Sequence, residues 1–483
     1  MRVLLINPPS PERLGAPLLG LQYVAAALLA RGCEVRVIDA AARHFDRDDD
    51  AIVDEAVAFA PRIIGVALFT RWVWHAYRLV ERLRGCRALL VAGGAHATVC
   101  PDETLDRGFD AAIAGEAERS IVDLVDAIEF STPLERVPGI RLRARDGSIV
   151  AGPPPAFIAD LDPLAPPWTA QHLFDARWYD SSGRETVPGG ILTSRGCPAR
   201  CTFCANYVTG RGFRHRSAAN VVAELNTYHR RTGATFFAFW DDALTAKSSH
   251  LTELCAAIER DIRFPLRFSA ITRATMVRPP LLQTMKRAGL VHVNFGVESG
   301  DDDILKAIRK GITTDQVVRA LEWAKEAGLM TACNFMLGFP EDTPDTLERT
   351  ARFMERVAPM VDSFSTLGVV VPFPGTPLYD DNHLRYGFTD WWLDEAYSGF
   401  SAFPPIEDTD RFHRFYVDDA NLDLDFFRYS AAMRDGIRAC LRIKGEHNLR
   451  RMGVLRDPVF EADPVAAPAV AAPAVAPNAS PAA

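Results

Sequence analysis

The sequence has no apolar run of the roughly 18 to 20 residues that a membrane helix needs, so no membrane span is expected. It has no excess of positive charge. Lys plus Arg is 54 and Asp plus Glu is 62, a formal net charge of −8. Binding to phosphate backbones needs a basic surface, so a general nucleic-acid partner is not expected. The first residues, Met1-Arg2-Val3-Leu4-Leu5-Ile6-Asn7-Pro8-Pro9, hold one charge and an apolar run stopped by proline. That is too short for a signal peptide, and a cytoplasmic location is expected. With 48% hydrophobic and 24% charged residues, the chain is neither disordered throughout, collagen-like nor a coiled coil. A framework of paired cysteines is also lacking. There are nine, an odd number, and a reducing compartment would keep them as thiols. Six of them (Cys33, Cys86, Cys100, Cys255, Cys333 and Cys440) stand mostly beside apolar residues and read as small buried hydrophobes. The other three lie within eight residues of one another: Cys197, Cys201 and Cys204.

What is present is alternation. A length of 483 residues allows about three domains, or two large ones. Short apolar strands are predicted at Val3–Ile6, Glu34–Ile38, Ile63–Leu68, Ala88–Ala92 and Ala111–Ala114, with helical patterns between and after them. Five β-α units in succession predict an α/β fold, a doubly wound parallel sheet. Its ligands would sit beyond the C-terminal strand ends, which carry Asn7, Asp39, Thr70, Gly93-Gly94 and Gly115-Glu116. Residues 136–187 are rich in proline and read as a linker with a small β-excursion. Between 188 and 380 the alternation restarts, with strands at Ile191–Ser194, Thr235–Trp240, Leu266–Ile271, Val291–Val297, Met330–Met336 and Ser363–Val370. Six β-α units make a partial barrel rather than a closed one of eight. Residues 381–460 read as a mostly helical C-terminal cap over the barrel mouth. Residues 461–483, nearly all Ala, Pro and Val, read as a disordered tail.

Cys197, Cys201 and Cys204 form a C-x3-C-x2-C pattern directly after the first barrel strand. Three thiolates in one loop suit a polynuclear centre, in which a four-iron cluster normally takes one cysteine per iron. Three ligands leave one iron open to a substrate group. Zinc would want a fourth protein ligand, and the near candidate is His215.

This spacing in this place resembles the radical S-adenosylmethionine (radical SAM) superfamily. The resemblance implies a [4Fe-4S] cluster on Cys197, Cys201 and Cys204, with S-adenosyl-L-methionine chelating the open iron. Reductive cleavage then yields a 5′-deoxyadenosyl radical that takes hydrogen from a small-molecule substrate, with electrons from a donor such as flavodoxin or ferredoxin. It places further cofactor contacts at Phe203, Asp241, Arg273, Glu298 (in Gly296-Val297-Glu298-Ser299-Gly300), Gly338 and Glu341 (in Phe335-Met336-Leu337-Gly338-Phe339-Pro340-Glu341). Pro372-Phe373-Pro374-Gly375-Thr376-Pro377 is similar to the family's segment after the sixth strand.

The first domain, 1–135, resembles the flavodoxin-like cobalamin-binding domain that precedes the barrel in one radical SAM subfamily. The similar pieces are Leu4–Pro9, Leu18–Leu21, Val37–Ala40, Val91–Thr98 and Ala114–Glu118. This implies cobalamin contacts at Asn7, Asp39, Thr70, Gly93, Gly94, His96, Gly115 and Glu116. One departure stands out: no D-x-H-x-x-G motif supplies a lower histidine ligand. Trp72 and Trp74 would either stack over the corrin or fill its space. The function implied is cobalamin-dependent C-methylation of a small molecule, in secondary metabolism. The alternative is non-methylating radical chemistry: a dehydratase or deoxygenase, a cyclase or a decarboxylase.

Overall fold

The computed structural model describes residues 1–10, 16–43, 49–144, 146–179, 190–397, 422 and 424–451. The tail at 461–483 and the aromatic residues Phe400, Phe403, Phe412, Phe415 and Tyr416 lie outside the described residues.

The first sheet contains β1 (Arg2–Asn7), β2 (Glu34–Asp39), β3 (Ile63–Ala67), β4 (Leu89–Gly93) and β5 (Ala111–Ile113), all parallel, in the order β2-β1-β3-β4-β5. Strand β1 buries both faces, as a central strand between helical layers must. Leu4 and Ile6 join the larger core, which runs on into the barrel. Val3 and Leu5 join a smaller one beneath the helices Leu19–Ala30 and Ala117–Glu129. The β-excursion expected in the linker belongs to this sheet. Strand β6 (Ile140–Arg143) pairs antiparallel with β5, and β7 (Ile149–Ala151) with β6. Ala111 to Ile113 would otherwise leave an edge of unpaired backbone groups, and the hairpin covers it.

The second sheet is parallel throughout, in the order β10 (Phe236–Phe239), β11 (Arg267–Thr272), β12 (Leu290–Glu298), β13 (Met330–Leu337) and β14 (Ser363–Val369). The strand expected at Ile191–Ser194 is reduced to one bridge, Ile191 to Phe239. Ile191 N–H donates to Ala238 O, and Trp240 N–H donates to Ile191 O. The ladder stops there because the next available donor, Thr193 N–H, goes to the Asp241 carboxylate at 3.1 Å. At the next residue the chain enters β8 (Ser194–Arg195), which pairs antiparallel with β9 (Arg214–His215).

The C-terminal helix corrects the expected cap. Ala431–Arg451 packs on the helix Pro344–Val357 and on β14, where the sixth helix of the barrel belongs. Its Asn448 imitates a strand: Oδ1 accepts from Phe364 N–H and Nδ2 donates to Phe364 O, both at 2.9 Å. Asn448 thereby satisfies backbone groups on the free edge of β14 that would otherwise be buried without partners. Closer to the mouth stand Tyr429 and the pair Trp391 and Trp392. No helix of the described residues is long and apolar enough to cross a membrane. Asn448→Ala should lower the unfolding free energy by about 1–3 kcal/mol, the cost of orphaning buried backbone groups. A urea titration would read this as a lower midpoint with an unchanged slope.

Candidate functional site

The cysteines lie on the loop that leaves β8 and returns through β9. Cys197 and Cys201 are buried and Cys204 is exposed. The loop is held from several sides. Cys197 N–H donates to Gly210 O at 3.2 Å, and Gly196 N–H to Asp242 Oδ2 at 2.9 Å. Thr202 N–H donates to Ile308 O, and Leu378 N–H to Thr202 O. Among the described residues, the group of possible ligand atoms gathered within 4.8 Å is His96, Cys100 and Glu103. One zinc ion would want a fourth protein ligand beside the three thiolates, whereas a four-iron cluster takes one cysteine on each of three irons and leaves the fourth open. His215, the possible zinc ligand, is engaged elsewhere. It stacks on His250 at 4.1 Å between ring centroids, and its Nε2 lies 3.2 Å from Lys247 Nζ. The cysteine loop therefore fits the cluster.

Two cations flank the loop. Arg273 Nη1 donates to Cys201 Sγ at 3.4 Å, and its other arm donates to Lys310 O. Arg273 is thus spent on the cysteine loop and its neighbour, rather than free for the SAM carboxylate. Lys310 is buried and pairs with Glu298 at 2.5 Å. Its Nζ lies 5.8 Å from the centre of the Phe203 ring, and Phe203 packs on Phe339 at 5.9 Å. The pair depends on two backbone features. At the bulge ending β12, Glu298 takes φ +75°, a left-handed conformation that a non-glycine residue holds only under constraint. Gly296 leaves the space that the pair occupies. A Cβ there would lie 2.7 Å from Glu298 Oε1 and 2.9 Å from Lys310 Nζ.

Other acidic strand ends hold the frame. Asp241 is buried and accepts from Thr193 N–H, Thr193 Oγ1 (2.7 Å) and Ser194 Oγ (2.5 Å). It locks the first strand to the second instead of facing the mouth as a cofactor ligand. Burial raises its carboxyl to about 6, against the hydrogen bonds from Ser194 and Thr193. After β13, Glu341 is exposed, and it is Asp342 that organises the turn by accepting from Gly338 and Phe339 N–H at 3.0 Å. Gly338 was expected to admit a flat base. The ring against it is Tyr429, whose OH donates to Gly338 O at 2.7 Å and would lie 2.5 Å from a Cβ.

In the first domain most of the expected cobalamin contacts are spent on the protein. Asn7 Nδ2 and Tyr179 OH both donate to the buried Asp39 carboxylate at 2.7 Å. Burial raises the Asp39 carboxyl, opposed by these bonds. Thr70 Oγ1 lies 3.1 Å from His96 Nδ1. His96 Nε2 lies 3.1 Å from Tyr77 OH and 3.2 Å from Glu103, whose other oxygen accepts from Trp392 Nε1 at 2.9 Å. His96, fully buried, is thus a structural link to the C-terminal segment. Gly115 N–H donates to Thr98 Oγ1 at 3.0 Å. Gly93 and Gly94 remain half-buried at the end of β4. Trp72 Nε1 is buried with no partner, an orphan donor on the same edge. Small residues plus an unused donor fit a large amide-rimmed ligand such as a corrin.

Glu116 departs most from expectation. Its carboxylate accepts from both arms of Arg214 at 2.8 Å, from Ile158 N–H at 2.7 Å, and pairs with Arg195 at 3.2 Å. Arg195 also pairs with Glu118 at 2.5 Å. A carboxylate of the first domain therefore grips the neck of the cysteine loop.

Residues 191–354 match the radical SAM superfamily and residues 15–125 match the B12 binding domain. The chain carries a radical SAM domain preceded by a B12-binding domain. An uncharacterised methyltransferase of Pyrococcus horikoshii is 29% identical over 392 residues, 79% of this chain and 83% of the relative. The anaerobic magnesium-protoporphyrin IX monomethyl ester cyclase of Rubrivivax gelatinosus is 28% identical over 398 residues, 79% of this chain and 70% of the relative. The structure of the radical SAM methyltransferase TsrM of Kitasatospora setae, with cobalamin and a [4Fe-4S] cluster bound, has the same fold. Its TM-score is 0.64 at 22% identity, covering 80% of this chain and 75% of that one.

Lys310, Arg195 and Arg214 were given no role by the sequence reading. Charged residues are common on surfaces, and nothing local marks Lys310 and Arg195 as buried. A check on the frame follows from Asp241. Its folded value lies above the unbound 3.8, so its stabilising contribution is full below 3.8 and lost as pH rises through about 6. Asp241→Asn in the cluster-free protein should gain stability relative to the parent across that window and hold the gain above it. Denaturation midpoints of both proteins against pH would show it.

Proposed function

We propose that this protein is a cobalamin-dependent radical SAM methyltransferase acting on a small molecule. The observation that carries the reading is the placement of the three-cysteine loop. It sits at the C-terminal ends of the barrel strands, with the C-terminal strand edge of a B12-binding domain docked directly on it. Cys197, Cys201 and Cys204 hold the cluster. When bound, the cluster and SAM supply a 5′-deoxyadenosyl radical, and methylcobalamin supplies the methyl group. The chain's own residues position and enclose. Arg273 donates to the Cys201 sulfur, Phe203 would pack beside the SAM adenine, and Lys310 pairs with Glu298 next to it. Phe339, Tyr429 and the Trp391–Trp392 pair, all buried, would exclude water from the site. Electrons come from a flavodoxin or ferredoxin. The name of the Pyrococcus relative and the TsrM likeness favour methylation. The ester cyclase, nearly as similar, favours a second reading in which the same two domains run radical chemistry without net methyl transfer.

Anaerobic reconstitution with and without cobalamin, with mass spectrometry of the products of SAM, separates the two. Methylation predicts that cobalamin binds, that S-adenosylhomocysteine and 5′-deoxyadenosine both accumulate, and that the product is one methyl heavier. Full turnover of substrate without mass gain supports the second reading. Cys197→Ala should abolish cluster-dependent SAM cleavage in either case. Cleavage at the parental rate in that variant would refute both.

A further inference from the structure

Strands β8 and β9 form a ladder only two residues long, Ser194 to His215 and Arg195 to Arg214. Such a pair is marginal by itself. It also sets two arginines directly opposite each other, which is repulsive. All three cysteines hang from the loop it closes, and Cys197 is two residues from Arg195. Two carboxylates resolve the conflict, and both come from the first domain. Glu116 takes Arg214 with both oxygens and also reaches Arg195, while Glu118 takes the far arm of Arg195. Glu116, Glu118 and Arg195 are buried, with Glu116 at 2% and Arg195 at 7% exposed, and Arg214 is half-buried beside them. Arg214 further donates to Thr209 O inside the loop at 2.6 Å and to Ile158 O at 2.7 Å. The four charges balance only when both domains contribute.

We infer that Glu116 is a positioning residue for the iron–sulfur cluster: it clamps the neck of the cysteine loop through Arg195 and Arg214. The B12-binding domain is on this account part of the cluster site and not only a carrier of cobalamin. Glu116, which the resemblance places among the corrin contacts, acts on the iron instead. The inference rests on the radical SAM reading of the cysteine loop.

Glu116→Gln keeps the shape, removes the charge, and turns an amide donor toward a guanidinium. In the reconstituted full-length protein, iron should be lost to a ferrous chelator about 10-fold faster than from the parent, the scale seen when an outer partner of a metal ligand is removed. The EPR signal of the reduced cluster should broaden, and its change on adding SAM should weaken. Glu116→Gln combined with Arg214→Gln leaves the Arg195–Glu118 pair intact and rebalances the neck, so it should recover slow iron loss and a SAM-responsive signal. A role in folding alone would lower stability without that recovery. Should Glu116→Gln not fold, Glu116→Asp, with the charge kept but drawn back by one methylene, carries the same comparison. Parental iron loss and a parental SAM response in the folded variant would overturn this inference alone. A parent protein with no SAM-responsive cluster would overturn the radical SAM reading as well.

Discussion

The buried charge cluster of Arg195, Arg214, Glu116 and Glu118 is the contact on which the rest depends. Its members come from the end of β5, the helix after it, and the two short strands that close the cysteine loop. Taking four charges out of water is expensive, and their attraction about repays it. Such a cluster is weak evidence for stability, yet removing one member leaves an uncompensated buried charge at about 3–5 kcal/mol. Its value is in geometry. A guanidinium fork donates to a carboxylate in few orientations. Arg214 forked onto Glu116, with Arg195 shared between Glu116 and Glu118, therefore fixes the loop against the first domain, and with it the cysteines against the edge where a corrin would lie.

Around that clamp, acidic residues at strand ends serve as braces. Asp241 ties the first barrel strand to the second, Asp242 holds Gly196 at the start of the cysteine loop, and Asp342 shapes the turn at Gly338. Glu298 is set by a bulge and a strained backbone against Lys310. The mouth is thus a rigid rim, lined by side chains already committed to one another. Rigidity of this kind suits radical chemistry, in which the reactive group must meet one hydrogen and no water. The C-terminal segment completes the rim from two directions. Trp392 reaches the first domain through Glu103, and Tyr429 covers Gly338.

Much of this was legible beforehand. The five parallel strands of the first sheet were legible, because short stretches rich in Val, Ile, Leu and Ala and bounded by Gly, Pro and Asp have few other readings. The cysteine loop was legible because its chemistry is local: three ligands within one turn-rich stretch need no tertiary information. The first barrel strand was over-read. Ile191 to Ser194 is apolar and extended, but the Asp241 carboxylate, 47 residues on from Ser194, takes the hydrogen bonds that would have continued the ladder. The final helix was legible as a helix and misplaced as a cap. Its periodicity says that one face is buried, and cannot say against which strand.

The sequence by itself determined the two α/β units, the three cysteines and the chemistry they imply, since periodicity and ligand spacing are properties of neighbouring residues. Only the tertiary structure decided which charges do the work. Glu116 and Asp241 moved from candidate cofactor ligands to braces, and Lys310 and Arg195 came into the site unannounced. The physical reason is that a charged side chain takes its role from the partner it meets when water is excluded, and that partner lies here from 12 residues away, for Lys310 and Glu298, to 98, for Arg214 and Glu116.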